Sequence, residues 1–386
     1  MELFRARIER LVKWARGEKA APVTIELVPT DRCNLNCLSC WRRGWKKEDL
    51  ERRYKQEMSD KRLLKLIDEA ANIGVKEIAF VGGGEPLARK ITIELFKKMK
   101  RYGMIGDLVT NGTLFTKKDI EVMVRIGWDR IKFSIDGPDE KTHDYVRQTK
   151  GAFKATIENI KLFSKIKKKL NTDKPKLILQ SVLSKENYKK FPELVRLAYK
   201  IGINGMTLLP LTVFDESMKN LKLTKKEVEE FKPILKKSIE LAKKFGIETN
   251  YNEFLNEKYI NFTEKMDEVM MEEMEKFIKK EYPRSKNPIT NFEFLPCYAP
   301  WIHVTILPNG NIAPCFSPWV WNTNISIKNH SLKELWYGNY FNKFRKIILK
   351  RKLPENCKKC CVWEVFNNRK IREGLKTYLK TGEISG

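Results

Sequence analysis

Residues 23–41 read VTIELVPTDRCNLNCLSCW, a short alternating strand that runs directly into three closely spaced cysteines. Val23, Ile25 and Leu27 share one face, as period-two alternation requires. Cys33, Cys37 and Cys40 follow in a C-x3-C-x2-C spacing. Three thiolates on one loop can each hold one iron of a cubane, and no fourth cysteine lies nearby, which leaves one iron open. Zinc normally asks for a fourth protein ligand to complete its tetrahedron, and ferredoxin-type spacings supply four thiolates. The pattern suits a cluster that binds something else at its unique iron.

Outward from this stretch the chain alternates strand and helix signals. Residues 78–81, 108–110, 131–135, 177–183 and 206–211 read as short buried strands, separated by helical runs of ten or more residues. The first such helix has Ser59 as N-cap and Gly74 as its stop, and Thr116 with Asp119 and Thr224 with Glu227 have capping-box spacing. Each parallel return needs a crossover, so these repeats predict an α/β fold: a partial or full β/α barrel with its chemistry on the loops after the strands. A doubly wound sheet is the runner-up. Residues 1–21 begin with an amphipathic helix carrying Phe4, Ile8, Leu11 and Ala15, expected to pack on the end of the barrel in residues 22–221. Residues 222–296 read as a helical linker with a Met266, Met270, Met274 stripe, assigned to core or docking, and residues 297–386 as a small cysteine-rich domain.

The chain has 386 residues, 42% of them hydrophobic, which implies two or three domains and excludes a disordered protein. No stretch reaches the roughly 18 apolar residues of a spanning helix, and the first residues lack a signal core, so a cytoplasmic location is expected. In a reducing compartment the eight cysteines are metal ligands or catalytic groups before they are disulfides. None falls between Cys40 and Cys297, a grouping that suggests two metal sites. The +27 net charge suits a lysine-rich, heat-adapted surface as well as attraction of RNA phosphate, anionic lipid or an acidic protein such as a ferredoxin.

Beyond the cysteine loop stands FVGGGEP, with Gly82, Gly83, Gly84, Glu85 and Pro86, then LVTNGTL with Thr110 and Asn111, and FSIDGPDEKTHDYVR with Ser134, Asp136 and Arg147. Together with the cysteine triplet these segments resemble the radical S-adenosylmethionine (SAM) superfamily. The resemblance implies a partial (β/α)6 TIM-like barrel, a SAM-binding [4Fe-4S] cluster on Cys33, Cys37 and Cys40, and SAM contacts from Gly82, Gly83, Gly84, Glu85, Thr110, Ser134, Asp136 and Arg147. Glu85 would carry charge near the methionine ammonium, Ser134 and Asp136 would face the ribose, and Arg147 the carboxylate. Ser39 stands before the third cysteine where the family often has an aromatic residue; Trp41 follows instead.

The tail is similar to the SPASM and shorter Twitch auxiliary-cluster domains. Cys297, Cys315, Cys357 and Cys360 would hold one auxiliary [4Fe-4S] cluster, with a closed zinc site as the alternative, and Cys361 is left as a spare thiol that most simply fills space. None of the three histidines is a preferred ligand.

The resemblance implies reductive cleavage of SAM to a 5′-deoxyadenosyl radical that abstracts hydrogen from a substrate. Oxidation or cross-linking of a peptide or other macromolecule is the first reading. A small-molecule alcohol dehydrogenase comes next and an RNA or lipid modifier after it, with nucleic acid not favoured. A non-catalytic iron–sulfur or zinc scaffold is the reading of another class. A low-potential donor such as ferredoxin or flavodoxin is the implied partner.

Overall fold

A computed structural model describes residues 2–260, 285–315, 324–354, 357 and 362–384. The Met266, Met270, Met274 stripe, Cys360, Cys361, Trp319 and Trp321 lie outside the described residues.

After helix α1 (Glu2–Ala15) come strand β1 (Thr24–Leu27) and helices α2 (Lys47–Lys55) and α3 (Asp60–Ile73). The repeat then runs β2 (Glu77–Phe80), α4 (Thr92–Arg101), β3 (Ile105–Thr110), α5 (Lys117–Arg125), β4 (Arg130–Ser134), α6 (Glu140–Arg147), α7 (Ala152–Lys169), β5 (Lys176–Val182), α8 (Phe191–Ile201), β6 (Gly205–Leu209), α9 (Lys225–Lys244) and β7 (Glu248–Thr249). Strands β8 (His303–Ile306) and β9 (Ile312–Ala313) precede the last helices, Leu332–Tyr337, Asn339–Leu349 and Val362–Thr381. The anticipated stop signals operate: the Ser59 hydroxyl accepts from Arg62 N–H, Gly74 caps α3 at φ 89°, and both capping boxes form at Thr116 and Thr224.

The described strands form one sheet in the order β7-β6-β5-β4-β3-β2-β1-β8-β9. From β7 to β8 every neighbouring pair is parallel, and only β9 is antiparallel. A doubly wound sheet reverses its strand order at a switch point. The order from β1 to β6 is sequential, so the runner-up topology is excluded, and right-handed crossovers place the helices on one face. The sheet does not close: β7 and β9 are its edges, and the barrel is partial.

The sequence break near residue 297 is not a break in the sheet. Strand β8 pairs with β1 along its length, Thr24 opposite His303 and Leu27 opposite Ile306, covering ladder groups that an open barrel edge would leave unpaired. Beyond β9 the tail is more helical than its turn-rich sequence suggests.

Ile25, Leu27, Ile78, Phe80, Leu108, Ile131, Phe133, Leu177, Leu179, Met206 and Leu208 pack with the crossover helices in the main core. Alternate strand positions therefore face the concave side. A second core joins α1 to the tail: Ile8 and Leu11, both fully buried, meet Phe292, Trp301, Ile371 and Leu375. A Cβ on Gly374 would lie 2.6 Å from the Phe4 ring, so the two helices touch where side chain is missing. The apolar face of α1 is thus covered by the chain's own last helix. Among the described residues no helix is long and apolar enough to cross a membrane.

Leu11→Ala should cost about 2–5 kcal/mol, the range for a fully buried leucine. A lowered denaturant midpoint would register it, and an unchanged midpoint would contradict the docking of α1.

Candidate active site

The cysteine loop leaves the carboxyl end of β1 and rests directly on the loop after β2. Gly84 N–H donates to Thr30 O at 2.9 Å and Glu85 N–H to Arg32 O at 2.7 Å. A Cβ on Gly84 would fall 2.0 Å from the Arg32 carbonyl oxygen, and one on Gly83 2.4 Å from the Asp31 carboxylate. None of Gly82, Gly83 or Gly84 has positive φ. Space, not turn geometry, demands glycine here.

Three further ties hold the loop. Asn34 Nδ2 donates to Thr113 Oγ1 at 2.8 Å and Asn34 Oδ1 accepts from Asn111 Nδ2 at 3.0 Å, joining the loop to the end of β3. Leu38 N–H donates to Val146 O at 2.8 Å, joining it to α6. From α2 and just beyond it, Arg53 pairs with Asp31 at 2.9 Å, and Glu57 accepts from Thr30 Oγ1 at 2.7 Å and Asp31 N–H at 2.9 Å. Helix α2, which the sequence reading passed over, also brings Arg53 against the ring of Trp45, itself edge-on to Trp41. Trp41 therefore belongs to a cation–aromatic cluster beside the cysteines.

Glu85 is buried, and both its oxygens are engaged: Oε1 accepts from Thr110 Oγ1 at 2.6 Å and Leu87 N–H at 3.2 Å, and Oε2 from Asn111 N–H at 2.7 Å. Burial raises its pKa while these donors oppose the rise. The carboxylate thus fastens the end of β2 to that of β3, a role the resemblance did not anticipate. Asp136 is likewise buried. Its Oδ1 accepts from Val182 N–H at 2.8 Å, and its Oδ2 meets Arg147 Nη2 at 2.8 Å in an ionic contact off the hydrogen-bond axis. Arg147, whose side chain is largely buried, also donates from Nη1 to Cys37 Sγ at 3.6 Å. Ser134 is half-buried at the carboxyl end of β4, opposite Gln180.

Cys33, Cys37 and Cys40 are free and partly accessible. Burial raises the Cys33 thiol and pushes Cys40 up to about 11. The three thiols share one short loop and lie close enough to feel one another's charge. Among the described residues no three or more His, Cys, Asp or Glu groups gather as around a single metal ion; a cubane spreads its thiolates wider. The donor set fits a three-thiolate cluster with one open iron.

The described late cysteines also come together. Cys297, Cys315 and Cys357 form one small cluster with Ala299 and Phe344, although far apart in sequence. Burial pushes Cys357 up to about 12 and raises Cys297 well above the usual thiol range. The buried Glu364 adds its charge to both effects.

The concave face holds residues that sequence reasoning missed. Arg130 pairs with Glu77 and lies 3.5 Å from Asp107, Lys132 reaches Asp107 at 2.7 Å, and His303 Nε2 is 3.4 Å from Glu26. Their signal was present: Arg130, Lys132 and Ser134 alternate with Ile131, Phe133 and Ile135, so one strand face was never apolar.

Residues 27–198 match the model of the radical SAM superfamily, and residues 297–361 that of an iron–sulfur cluster-binding domain, SPASM. Residues 27–198 are thus a radical SAM region and residues 297–361 a SPASM region, the pairing found in iron–sulfur, SAM-dependent enzymes. The chain is 31% identical over 187 residues to a tungsten-containing aldehyde ferredoxin oxidoreductase cofactor-modifying protein of Pyrococcus furiosus, covering 47% of this chain and 51% of that one. It is 26% identical over 199 residues to a PqqA peptide cyclase of Bradyrhizobium diazoefficiens, covering 52% and 49%. The chain spans about half the length of the curated relatives it matches. Two solved structures share the fold. Streptococcus suis SuiB bound to S-adenosylmethionine has TM-score 0.59 at 14% identity, covering 88% of this chain and 77% of that one. Native anSMEcpe with bound AdoMet and Kp18Cys peptide has TM-score 0.58 at 18%, covering 92% and 89%.

Gly84→Ala should push the cysteine loop off its seat. Anaerobic reconstitution is expected to leave about four irons per chain where the parent takes about eight; full loading would show that the loop tolerates the added methyl. His143 is a second test. Its Nδ1 accepts from Asp136 N–H at 3.2 Å, and burial followed by the Arg147 charge lowers its pKa from 6.5 to about 3. Between those values the unfolded chain binds a proton that the folded chain refuses. Stability should fall as pH drops through that window, by up to about 1.4 kcal/mol per unit. His143→Asn should flatten the slope in denaturation series from pH 7 to 4.

Proposed function

We propose that this protein reductively cleaves SAM and uses the resulting radical to oxidise or cross-link a peptide or another macromolecule. The observation that carries the reading is the three-thiol loop seated on the glycine segment at the carboxyl end of a partial barrel, with a second cysteine group beside the same sheet. A reduced [4Fe-4S] cluster carrying SAM supplies the 5′-deoxyadenosyl radical.

The protein's own contribution is binding and exclusion of water. Cys33, Cys37 and Cys40 would hold the cluster, three thiolates for a group that also binds SAM. Gly82, Gly83 and Gly84 keep the loop flush with the strand ends, and Glu85 with Thr110 locks the neighbouring loop. Ser134 and Gln180, opposite each other on β4 and β5, would face SAM, and Arg130, Lys132, Glu26 and His303 make the concave face polar. Cys297, Cys315, Cys357 and Cys360 would hold one auxiliary [4Fe-4S] cluster, which would supply an electron acceptor or a binding point for substrate. Residues 22–221 form the catalytic unit and 297–386 the auxiliary one. The basic surface suits an acidic low-potential donor such as a ferredoxin or flavodoxin, and the location is cytoplasmic.

A peptide substrate is favoured because a curated relative is a peptide cyclase and a solved structure of this fold carries a peptide. A cofactor-sized substrate is the second reading. It rests on the Pyrococcus cofactor-modifying protein and on 34% identity over 182 residues to an AdoMet-dependent heme synthase of Methanosarcina barkeri, covering 47% of this chain and 48% of that one.

Under dithionite the reconstituted enzyme should form 5′-deoxyadenosine from SAM, and Cys33→Ala should abolish this while retaining the auxiliary cluster. No deoxyadenosine from fully loaded enzyme would refute the radical reading. Deuterium transfer into deoxyadenosine from labelled peptides, and none from labelled cofactors, separates the two substrate classes.

A further inference from the structure

Arg147 ends α6, yet its guanidinium turns inward, buried between two partners on different elements. Nη2 lies 2.8 Å from Asp136 Oδ2 just past β4, and Nη1 donates to Cys37 Sγ at 3.6 Å. The Arg147 side chain is 11% exposed and Asp136 1%. A guanidinium keeps its charge at every pH a folded protein meets, so the group is a fixed cation. Backbone fixes its distance to the thiol, because Leu38 N–H donates to Val146 O at 2.8 Å and sets the residue after Cys37 against the one before Arg147. Asp136 is fixed in turn by Val182 N–H at 2.8 Å.

We infer that Arg147 is a positioning residue that sets the reduction potential of the cluster held by Cys33, Cys37 and Cys40, its guanidinium hydrogen-bonded to the Cys37 sulfur and held there by Asp136. The inference rests on the assignment of those cysteines as the cluster ligands and is independent of the substrate. A reduced cluster carries one more electron than an oxidised one. A cation hydrogen-bonded to a ligand sulfur stabilises that electron and raises the potential, since cluster potentials follow net charge and hydrogen bonds to sulfur. Burial strengthens the effect because little water screens it. The described auxiliary cysteines, Cys297, Cys315 and Cys357, pack together with Ala299 and Phe344, whereas Arg147 contacts Cys37.

The test is an EPR-monitored redox titration of reconstituted Arg147→Gln beside the parent. At a fixed solution potential the reduced-to-oxidised ratio of the SAM-binding cluster should fall about tenfold, a shift of about 59 mV for one electron, while the auxiliary cluster titrates as before. An unchanged potential in a variant that keeps its iron overturns the inference; equal shifts at both clusters do so as well, since they mark a general structural change. Should the variant fail to load, the unmodified enzyme decides. With 15N-guanidino arginine, pulsed EPR of the reduced SAM-binding cluster should show a weak nitrogen coupling, and its absence overturns the inference. If Cys33→Ala leaves that EPR signal intact, the ligand assignment itself fails, a result distinct from a loaded cluster indifferent to Arg147.

Discussion

The constraint on which the rest of the site depends is the contact between two backbones, Gly82–Gly84 after β2 and Asp31–Arg32 after β1. A single methyl at Gly84 would meet a carbonyl oxygen at 2.0 Å, and carbonyls cannot yield as a flexible side-chain tip can. Because the two loops touch through backbone, hydrogen bonds from Gly84 and Glu85 set the height of the cysteine loop above the strand ends. The side-chain ties through Asn34, Asp31 and Glu57 then set its direction. A cluster ligand loop needs such over-determination, since thiolates must be held in place before metal arrives.

Buried charge is managed by the same logic of local satisfaction. Glu85, Asp136 and Arg147 all lie beneath the loop, and each charge has a specific partner: hydroxyl and amide donors for Glu85, an amide and a guanidinium for Asp136, a carboxylate and a thiol for Arg147. Removing one member of such a set leaves an uncompensated charge in a dry place, which costs more than the intact pair contributes. These residues therefore tie β2 to β3, and β4 to α6 and the loop, as firmly as the hydrophobic core does. On the concave face the charges are paired across neighbouring strands: the Glu77 and Asp107 carboxylates are buried, and Arg130 and Lys132 cover them while staying partly exposed.

The strands β1 to β6, their helices and the caps at Ser59, Thr116 and Thr224 were legible because each rests on local rules of periodicity, N-cap hydroxyls and glycine stops. The cysteine triplet and glycine segment were legible for the same reason, being short motifs at strand ends. The partners of Glu85, Asp136 and Arg147 were not, because those side chains reach across residues distant in sequence. The charged strand face was written in the alternation of Arg130, Lys132 and Ser134 but was masked by the apolar residues between them. The place of strand β8 beside β1 was not legible, since parallel pairing across more than half the chain leaves no local trace.

Sequence alone determined the class of chemistry, because three thiolates at fixed spacing on one loop define a metal site wherever the loop sits, and the order of strands and helices restricts the fold to a parallel sheet. Tertiary structure alone decided that the sheet stays open, that its free edge is closed by the tail, and that Asp136 and Arg147 serve the cysteine loop from below. Those outcomes depend on which distant groups meet at van der Waals and hydrogen-bond range. That is a property of packing, and no periodicity along the chain encodes it.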